Sequence, residues 1–377
     1  MNRVIYSPDK FGYYTVGSRK TFSKFEAIEL QQATGLWPEW DFNSTTFNSI
    51  DWYLEPTVDL WTLYKLRARQ IRDSYDYVVL WYSGGSDSHN VLNAWLAADC
   101  KIDEIAVTWN YEASGDKQDF QNAEITNVVL PDIKKMQDTG MDFKFRLVDI
   151  SQMSLDLFDT FNLDWEYNIN HHFSVNNPVK HTLREKIQDY QDLIKSGIKL
   201  CFVWGIEKPK LFYEDGRYYS QFFDVYDNVI GPYVQRKYDQ GWYDEFFYWT
   251  PDMPLIPVKA AHVLKNFVST CDDPQFYQDS RSDFGYNPRI KKYLKVETVK
   301  TLIYPKWSNS IFCNGKSPSM VYSIRDSWFL KSNLNQIKKF NSITESYFCK
   351  IGDFWKNDPA NLSKGIKAHC SPKYWLT

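Results

Sequence analysis

The sequence predicts an α/β protein built on a doubly wound, mostly parallel β-sheet. The first observation is an apolar run at 77–82, because such continuity is typical of a strand buried on both faces of a sheet. The second is that further strand-like segments follow at 104–109, 142–148 and 200–204. The third is that helical patterns separate these segments, which indicates βαβ units with right-handed crossovers.

The helices of this predicted core follow from apolar periodicity and from residues that end helices. They are, in order, a helix that begins after Ser88, a helix at 118–136 with a kink at Pro131, and a helix at 182–196 that Gly197 closes. Each helix lies between two predicted strands, so each can form a crossover between them.

Shorter elements are predicted on both sides of the core. Before it we expect a hairpin at 13–22, a helix at 24–33 that ends at Gly35, an ordered loop at 36–52 and a helix at 57–74. After residue 240 the pattern is helical and irregular, with helices at 257–267 and 331–340 and an extended stretch at 303–307. The chain is thereby divided into an aromatic-rich N-terminal cap (1–74), the core (75–235) and a mostly helical C-terminal region (236–377).

Composition excludes several classes of protein. The 377 residues include 44 basic and 47 acidic side chains, a net charge of −3, whereas a chain that coats nucleic acid in bulk would be basic. We find no run of 18 apolar residues and no signal-like start, so we expect no membrane span and a cytoplasmic location. Six cysteines without C-x-x-C spacing exclude zinc ribbons and indicate free thiols in a reducing compartment.

Aromatic residues are unusually frequent, at 18% of the chain. They can build an aromatic-rich core, or they can form stacking platforms for bases or partners. Because they are spread evenly along the chain, the sequence favours the core.

A loop rich in serine and glycine follows the first apolar run and leads directly into a helix. In open α/β sheets, ligands bind at the carboxyl ends of the strands, where this loop is expected. Adjacent glycines let the backbone approach an anion, serines add hydroxyl donors, and the helix N-terminus supplies unpaired N–H groups. The predicted phosphate-binding residues are Ser83, Gly84, Gly85, Ser86 and Ser88.

Asp87 in the same loop does not suit a plain anion cradle, since its charge repels phosphate. Two roles remain open: it binds Mg²⁺ that bridges to the phosphates, or it caps the helix. The loop is not a Walker loop, because G-x-x-x-x-G-K-[ST] is absent, and no G-x-G-x-x-G occurs in the chain.

The order strand, Ser-Gly-Gly-Ser-Asp-Ser, helix resembles the pyrophosphate loop S-G-G-x-D-S of the N-type ATP pyrophosphatases, the PP-loop or adenine nucleotide alpha-hydrolase-like superfamily. The resemblance covers 76–110 and extends to about 210 by strand order; the synthetase domain of asparagine synthetase is one member. It implies a HUP-like sheet, with ATP and Mg²⁺ as cosubstrates. It also implies adenylation of a carboxylate, amide or nucleobase carbonyl, release of pyrophosphate, and displacement of AMP by nitrogen or sulfur.

Departures from the superfamily narrow this resemblance. Asn2 stands where the glutaminase-bearing members need cysteine, and the cysteine clusters of 7-cyano-7-deazaguanine synthases and of two-cysteine tRNA thiolases are absent. Cys370 only loosely echoes the catalytic cysteine of PAPS reductases. The whole chain also resembles pyrophosphate-loop proteins of tailed phages, which implies the host cytoplasm as its location and fixes no substrate.

The remaining site residues are expected on other strand ends of the same crevice. Gly205 follows the fourth strand, and the loop after it supplies Glu207 for Mg²⁺ and Lys208 and Lys210 for the charge that develops on pyrophosphate. A polar loop with exposed lysines explains the same residues equally well.

The resemblance places the adenosine at the ends of the first two strands. The expected contacts are Leu80, Trp81, Thr108 and Asn110. The C-terminal region is then the expected site of the acceptor, a small molecule or a tRNA nucleobase. Neither the acceptor nor the oligomeric state follows from the sequence.

Other polar clusters have both a functional and a structural interpretation. Arg67, Arg69 and Arg72 can reach a phosphate or form a solvated helix face. Asp224 and Asp227 can act as a carboxylate pair or in turns, and the histidines His171, His172 and His181 can bind metal or pack. Two rival functions also remain: a nucleotide-binding protein without turnover, such as a sensor or virion component, and a nucleic-acid binder that stacks bases on its aromatics.

Overall fold

The computed structural model describes residues 4–109, 124–153, 156, 183–206, 210–224, 240–271, 300–307, 338, 342, 349, 352–355 and 367–377. Several residues singled out from the sequence lie outside these ranges. They are Asn110, His171, His172, His181, Glu207, Lys208 and Asp227, together with the helix predicted at 331–340 apart from residue 338.

Eleven strands and eight α-helices are labelled here in chain order. The strands are β1 (Tyr13–Val16), β2 (Arg19–Thr21), β3 (Glu39–Asp41), β4 (Tyr77–Trp81), β5 (Glu104–Trp109), β6 (Lys144–Asp149), β7 (Leu200–Trp204), β8 (Lys210–Glu214), β9 (Arg217–Gln221), β10 (Trp242–Phe246) and β11 (Tyr374–Trp375). The helices are α1 (Lys24–Thr34), α2 (Ser44–Asn48), α3 (Leu60–Arg72), α4 (Ser86–Ala97), α5 (Leu130–Asp138), α6 (Gln188–Lys195), α7 (Leu255–Val268) and α8 (Lys300–Ile303).

The centre of the molecule is a five-stranded sheet in the order β10-β7-β4-β5-β6. Every pairing in this sheet is parallel. Together with the helices that flank it, this sheet confirms the predicted α/β class. The four strands predicted from the sequence are all present, within two residues of their expected limits.

The fifth strand, β10, lies beyond residue 235, in a part of the chain expected to be helical and irregular. No apolar run marks it, because Asp244 and Glu245 stand in the middle of the strand. Both carboxylates are buried, and each is paired: Asp244 with Arg184, and Glu245 with Arg67. Buried cations from distant segments therefore permit a strand that hydrophobic patterning does not predict.

The side chains of the central strands alternate between two apolar clusters, one on each face of the sheet. On one face, Val78 and Leu80 belong to the main cluster, which also includes side chains from α3, α4, α5 and α7. On the other face, Val79 packs with Phe202 of β7 and Tyr190 of α6. Helices thus cover both faces, which explains why β4 is apolar at successive positions.

Two small antiparallel sheets, β2-β1-β3 and β11-β9-β8, complete the described fold. The first contains the predicted hairpin, but β3 and α2 occupy the region expected to be a loop at 36–52. The expected extended stretch at 303–307 is wrong. Residues 300–303 form α8, and Tyr304 N donates to Lys300 O before a turn in which Trp307 N donates to Tyr304 O. Pro305 lies within this turn, a setting common for proline.

Helix ends follow local capping chemistry. Helix α3 begins later than predicted, because the Asp59 side chain accepts a hydrogen bond from Thr62 N at 2.9 Å and acts as the N-cap. Helix α1 ends at Gly35 as expected, with that glycine in the left-handed region. No helix among the described residues is long and apolar enough to cross a membrane.

A buried charge network joins β10 to the N-terminal region. Arg67 Nη2 lies 2.7 Å from Glu245 Oε2, and Lys10 Nζ lies 2.5 Å from Glu245 Oε1. The Tyr75 hydroxyl also donates to Glu245, and Asp252 lies 3.6 Å from both cations. Arg67 has no exposed surface. Arg67 is therefore neither a phosphate ligand nor part of a solvated helix face. Both interpretations offered for it from the sequence are wrong.

We expect Arg67→Ala to lower the free energy of unfolding by about 3–5 kcal/mol, because it leaves the Glu245 carboxylate buried without its guanidinium partner. The control is Lys20→Ala, which removes an exposed ion pair with Asp9 and a contact of the ammonium with the Tyr13 ring; the Lys20 and Asp9 side chains are 40% and 46% exposed. That variant should cost less than about 1 kcal/mol. Urea denaturation of the two variants measures both effects, and equal losses would show that the buried network does not limit stability.

Candidate functional site

The predicted phosphate loop lies where the order of the strands reverses. From β4 the chain continues to β5 and β6 on one side of the sheet, and then to β7 and β10 on the other. In open α/β sheets this reversal creates a crevice at the carboxyl ends of the strands, and ligands bind there. The loop from β4 to α4 and the residues that follow β7 both lie at this edge.

Gly205 brings these two loops into backbone contact. A Cβ atom at this position would lie 3.0 Å from Asp87 C and from Ser88 N, the first turn of α4. A Cβ contact this short is unusually tight and both neighbours are backbone atoms, so the approach favours a residue without a side chain. The structure therefore gives Gly205 a packing role at the predicted site, beside the loop that it was expected to complement.

Two serines of the loop stabilise its shape. Ser88 Oγ accepts a hydrogen bond from Ser83 N at 3.1 Å and donates to Gly85 O at 3.1 Å. The Ser83 and Ser88 hydroxyl oxygens lie 3.1 Å apart, and Gly85 N donates to Ser83 Oγ at 3.3 Å. These bonds close the loop on itself before α4 begins, so both hydroxyls have internal partners.

Ser86, the first residue of α4, is different. The residue is only 3% exposed, and its Oγ has no hydrogen-bond partner among the residues that the structure describes. The N-cap residue is Gly85, which has no side chain to cap the helix. An unsatisfied buried hydroxyl at an uncapped helix N-terminus is unfavourable alone and favourable beside an anion. The loop therefore fits a phosphate group.

Gly84 fixes the course of the loop. Its φ is +76°, in the left-handed region, and a Cβ atom there would lie 2.9 Å from Glu124 O and 3.0 Å from Val129 Cγ2. Both the conformation and the contact require glycine. The contact also places the loop against residues 125–129, which form a π-helical turn before α5.

Asp87, the second residue of α4, has tyrosine partners that the sequence did not predict. Its Oδ1 atom accepts a hydrogen bond from the Tyr304 hydroxyl at 2.6 Å. Its backbone carbonyl accepts from the Tyr248 hydroxyl at 2.8 Å, and Asn90 Nδ2 donates to the same hydroxyl at 3.0 Å. Burial and the Asp87 charge raise the pKa of Tyr304 well above its ordinary value, so its hydroxyl stays a neutral donor.

The metal-binding prediction concerns Asp87 and Glu207. Among the described residues there is no group of three or more side chains of the kind that holds a metal ion. Magnesium, however, is usually held by one or two carboxylates together with substrate phosphates. A single carboxylate at Asp87 is compatible with that mode, and the prediction of a magnesium site remains a prediction.

The expected adenine wall divides between the two faces of the sheet. Leu80 is 2% exposed and packs into the core below α4. Trp81 points to the other face, where it is partly exposed and stacks on Trp204 with ring centroids 5.6 Å apart. Burial therefore favours Trp81 over Leu80 as a surface for a base. Trp204, which sequence reasoning did not select, ends the neighbouring strand directly before Gly205.

Thr108 lies near the end of β5, opposite Val148 of β6, and is partly buried. Strand β5 is the neighbour of β4, so Thr108 lies at the same carboxyl edge as the loop. This position is compatible with the predicted adenosine contact and adds no further support for it.

Lys210 has a different setting from the one expected. It begins β8, in the second antiparallel sheet, and its ammonium lies 4.8 Å from the centre of the Phe223 ring. The described contacts of Lys210 are thus with that sheet. Its predicted role at the pyrophosphate remains a prediction.

Asp224 is part of a buried cluster, not of a turn at the surface. Lys24 Nζ and the Tyr14 hydroxyl each lie 2.7 Å from Asp224 Oδ2, and His369 Nδ1 lies 3.1 Å from the same atom. Next to this cluster, burial of the thiol and the Asp224 charge raise the pKa of Cys370 to about 11. A thiol with that pKa is protonated at neutral pH, which argues against a reductase-type nucleophile.

A second polar cluster near the loop was also missed. His89 Nδ1 lies 3.0 Å from the Tyr82 hydroxyl and 3.4 Å from Asp132 Oδ2, and Tyr82 donates to Asp132 as well. The three residues come from the end of β4, from α4 and from α5. Only their spatial proximity identifies them, because their spacing in the sequence forms no motif.

A cavity of about 360 Å³ opens at the opposite edge of the sheet, where β4, β5 and β6 begin. Its lining includes Tyr77, Glu104, Lys144 and Asp189. Most of the charges there already have partners, since Lys144 pairs with Asp189 and the neighbouring Arg146 pairs with Glu104. The loop at the carboxyl edge therefore remains the better candidate for a ligand site.

Gly84→Ala should lower the free energy of unfolding by on the order of 1–3 kcal/mol, because an L side chain is strained at this φ and meets Glu124 O. Gly85→Ala is the matched control: at φ −76° its Cβ atom would only come within 3.4 Å of Ser83 Oγ, and the cost should be below about 1 kcal/mol. Urea denaturation compares the free energies of unfolding of the two variants. A larger loss of stability for Gly85→Ala than for Gly84→Ala would contradict the described loop.

Comparisons with protein-family models, with curated proteins and with solved structures give no match for this chain.

Proposed function

We propose that this protein is an ATP pyrophosphatase that forms AMP and pyrophosphate while it adenylates an acceptor. The observation that carries the proposal is the buried, unpartnered Ser86 hydroxyl at the uncapped N-terminus of α4. This feature lies at the reversal point of a parallel sheet, in a loop with the sequence Ser-Gly-Gly-Ser-Asp-Ser. Geometry and sequence thus favour the same ligand, the phosphates of a nucleotide.

The fold supports the same proposal at a finer level. When the five strands are numbered by their order along the chain, they run 3-2-1-4-5 across the sheet, since β4 comes first in the chain and β7 fourth. This order, with helices on both faces, is that of doubly wound nucleotide-binding sheets. We infer that the sheet is doubly wound and HUP-like.

In the proposed reaction, an acceptor oxygen attacks the α-phosphorus of ATP, and the bond between the α and β phosphates breaks. The N–H groups of the first turn of α4 and the Ser86 hydroxyl hold the β and γ phosphates in place as negative charge develops on pyrophosphate. Magnesium, when bound, would neutralise part of that charge through Asp87 and Glu207. Trp81 offers a partly exposed ring on which the adenine base can stack.

The acceptor is a carboxylate, an amide or a nucleobase carbonyl, and a nitrogen or sulfur nucleophile then displaces AMP. A small molecule and a tRNA are both compatible with the site. The C-terminal region contributes Tyr304 to the loop, which supports its assignment as the region next to the acceptor.

Nucleotide binding without turnover is the second candidate function. The observation in its favour is that Asp87 already accepts a hydrogen bond from Tyr304, so part of its capacity for a metal ion is used. The position of Lys210 in the second antiparallel sheet also favours this candidate. A protein of this kind would bind ATP through the loop and release no pyrophosphate.

Binding of nucleic acid through stacked aromatics gains little from the structure. Large aromatic side chains such as Trp95, Trp249 and Phe47 are fully buried and form the core. If this third function were nevertheless correct, affinity for RNA or DNA would fall steeply with salt concentration.

The direct test is exchange of labelled pyrophosphate into ATP in the presence of Mg²⁺ and pooled amino acids, nucleosides and tRNA. Asp87→Asn should lower the exchange rate at least about a hundredfold without loss of folding, because a carboxylate beside phosphates functions through a cation. Asp138→Asn, the same change at an exposed position of α5, is the control and should retain the wild-type rate. If Asp87→Asn keeps the wild-type exchange rate, Asp87 is not part of the reaction. Its role is then that of an acidic residue in the first turn of α4, where it stabilises the helix through the helix dipole.

Lys208→Ala should lower kcat by on the order of a hundredfold while ATP affinity changes little, because a charge that stabilises the leaving pyrophosphate acts mainly in the transition state. Lys210→Ala, measured separately, shows whether a lysine of the second sheet contributes. An exposed lysine away from the site would change neither constant by more than about twofold. If both variants keep the wild-type kcat, the positive charge at the pyrophosphate comes from another part of the chain.

A further inference from the structure

Residues 300–307, which we call the C-terminal clamp, pack over the first turn of α4. The Tyr304 hydroxyl donates to Asp87 Oδ1 at 2.6 Å. Two residues farther along the helix, the His89 ring meets the Trp307 ring edge to face, with centroids 5.7 Å apart. The clamp thus contacts Asp87, the residue expected to bind the metal. Tyr304 and Asp87 are 217 residues apart in the sequence.

The clamp has an anchor that does not involve Asp87. The Tyr64 hydroxyl of α3 donates to Ile303 O at 2.8 Å, and Ile303 is 1% exposed in the main core. This bond and the burial of Ile303 hold the clamp against the helical layer. The hydroxyl of Tyr304 is therefore not required to dock the segment, which leaves its bond to Asp87 to be explained.

Tyr304 is a rigid donor. The residue is 1% exposed, and its ring lies 5.5 Å from that of Tyr248, which itself donates to the Asp87 carbonyl. A donor fixed in this way holds the accepting carboxylate in one orientation, and a hydrogen bond to a charged group is stronger than one between neutral groups.

We propose that Tyr304 is a positioning residue of the phosphate site, which orients the Asp87 carboxylate for the cation that accompanies the nucleotide. This inference rests on the proposed function. It assigns to the C-terminal clamp a part in nucleotide binding, through a contact that neither the loop motif nor the sheet topology predicts.

The test is equilibrium binding of ATP, measured by calorimetry with Mg²⁺ and again with EDTA. Tyr304→Phe removes one hydroxyl and keeps the ring, and it should weaken binding of Mg·ATP by about tenfold, because a carboxylate that Tyr304 no longer holds must be ordered when the cation binds. Metal-free ATP should bind within about twofold of the wild-type affinity, because the loop N–H groups are unchanged.

Tyr64→Phe is the matched control. It removes an equally buried tyrosine hydroxyl of the same environment, whose hydrogen bond goes to the Ile303 carbonyl of the clamp. Both variants should lose a similar amount of thermal stability, whereas only Tyr304→Phe should lose affinity for Mg·ATP. Equal weakening in the two variants would show that Tyr304 acts through the stability of the clamp, and would overturn the proposal.

A double variant separates positioning from packing. In an Asp87→Asn background, Tyr304→Phe should have no further effect on Mg·ATP binding, because the carboxylate that Tyr304 orients is gone. A further loss of affinity in that background would overturn the proposal.

The wild-type protein distinguishes this inference from the function on which it rests. If the wild type binds no ATP with or without Mg²⁺, the proposed function and the inference both fail. If the wild type binds Mg·ATP and Asp87→Asn weakens it, while Tyr304→Phe behaves like Tyr64→Phe, only the role of Tyr304 fails.

Discussion

The described fold depends on the neutralisation of two adjacent carboxylates in the interior. Asp244 and Glu245 lie side by side in β10, and both are buried. Burial raises the pKa of Asp244 even with Arg184 beside it, so the strand is stable only while its partners are in place. Those partners come from two other parts of the chain: Lys10 and Arg67 from the N-terminal cap, and Arg184 from within the predicted core, just before α6. The requirement to pair these charges therefore joins otherwise separate regions to one edge of the sheet.

The same edge leads to the candidate site. Strand β10 pairs with β7 along its length, and β7 ends directly before Gly205. Gly205 in turn packs against the first turn of α4, while Gly84 packs against Glu124 on the other side of the loop. The two glycines confine the loop between the neighbouring segments, so its backbone N–H groups have a fixed direction. Preorganised donors of this kind need no rearrangement when an anion arrives.

Much of the fold could be predicted because hydrophobic periodicity is a local property. The runs that became β4, β5 and β7 and the end of α1 at Gly35 follow from neighbouring residues alone. Strand β10 could not be found in this way, since its buried charges are acceptable only through partners far away in sequence. The stretch at 303–307 was wrong for a related reason: Pro305 and its aromatic neighbours are compatible with both a strand and a turn, and packing against α3 and α4 decides between them. For the site, the loop could be predicted as a motif, whereas Tyr248 and Tyr304 are brought to Asp87 only by tertiary structure.

Strand β11 has a consequence for the order in which the protein is completed during synthesis. It closes the outer edge of β9 through Tyr374 and Trp375, and Tyr218 N donates to Thr377 Oγ1 across a separation of 159 residues. Domains begin to fold as the chain emerges from the ribosome, N-terminal part first. The edge of β9 therefore stays unpaired until translation reaches the last described residues. An open edge of that kind can pair with another nascent chain, so synthesis of this protein has an interval in which the second sheet is exposed to aggregation.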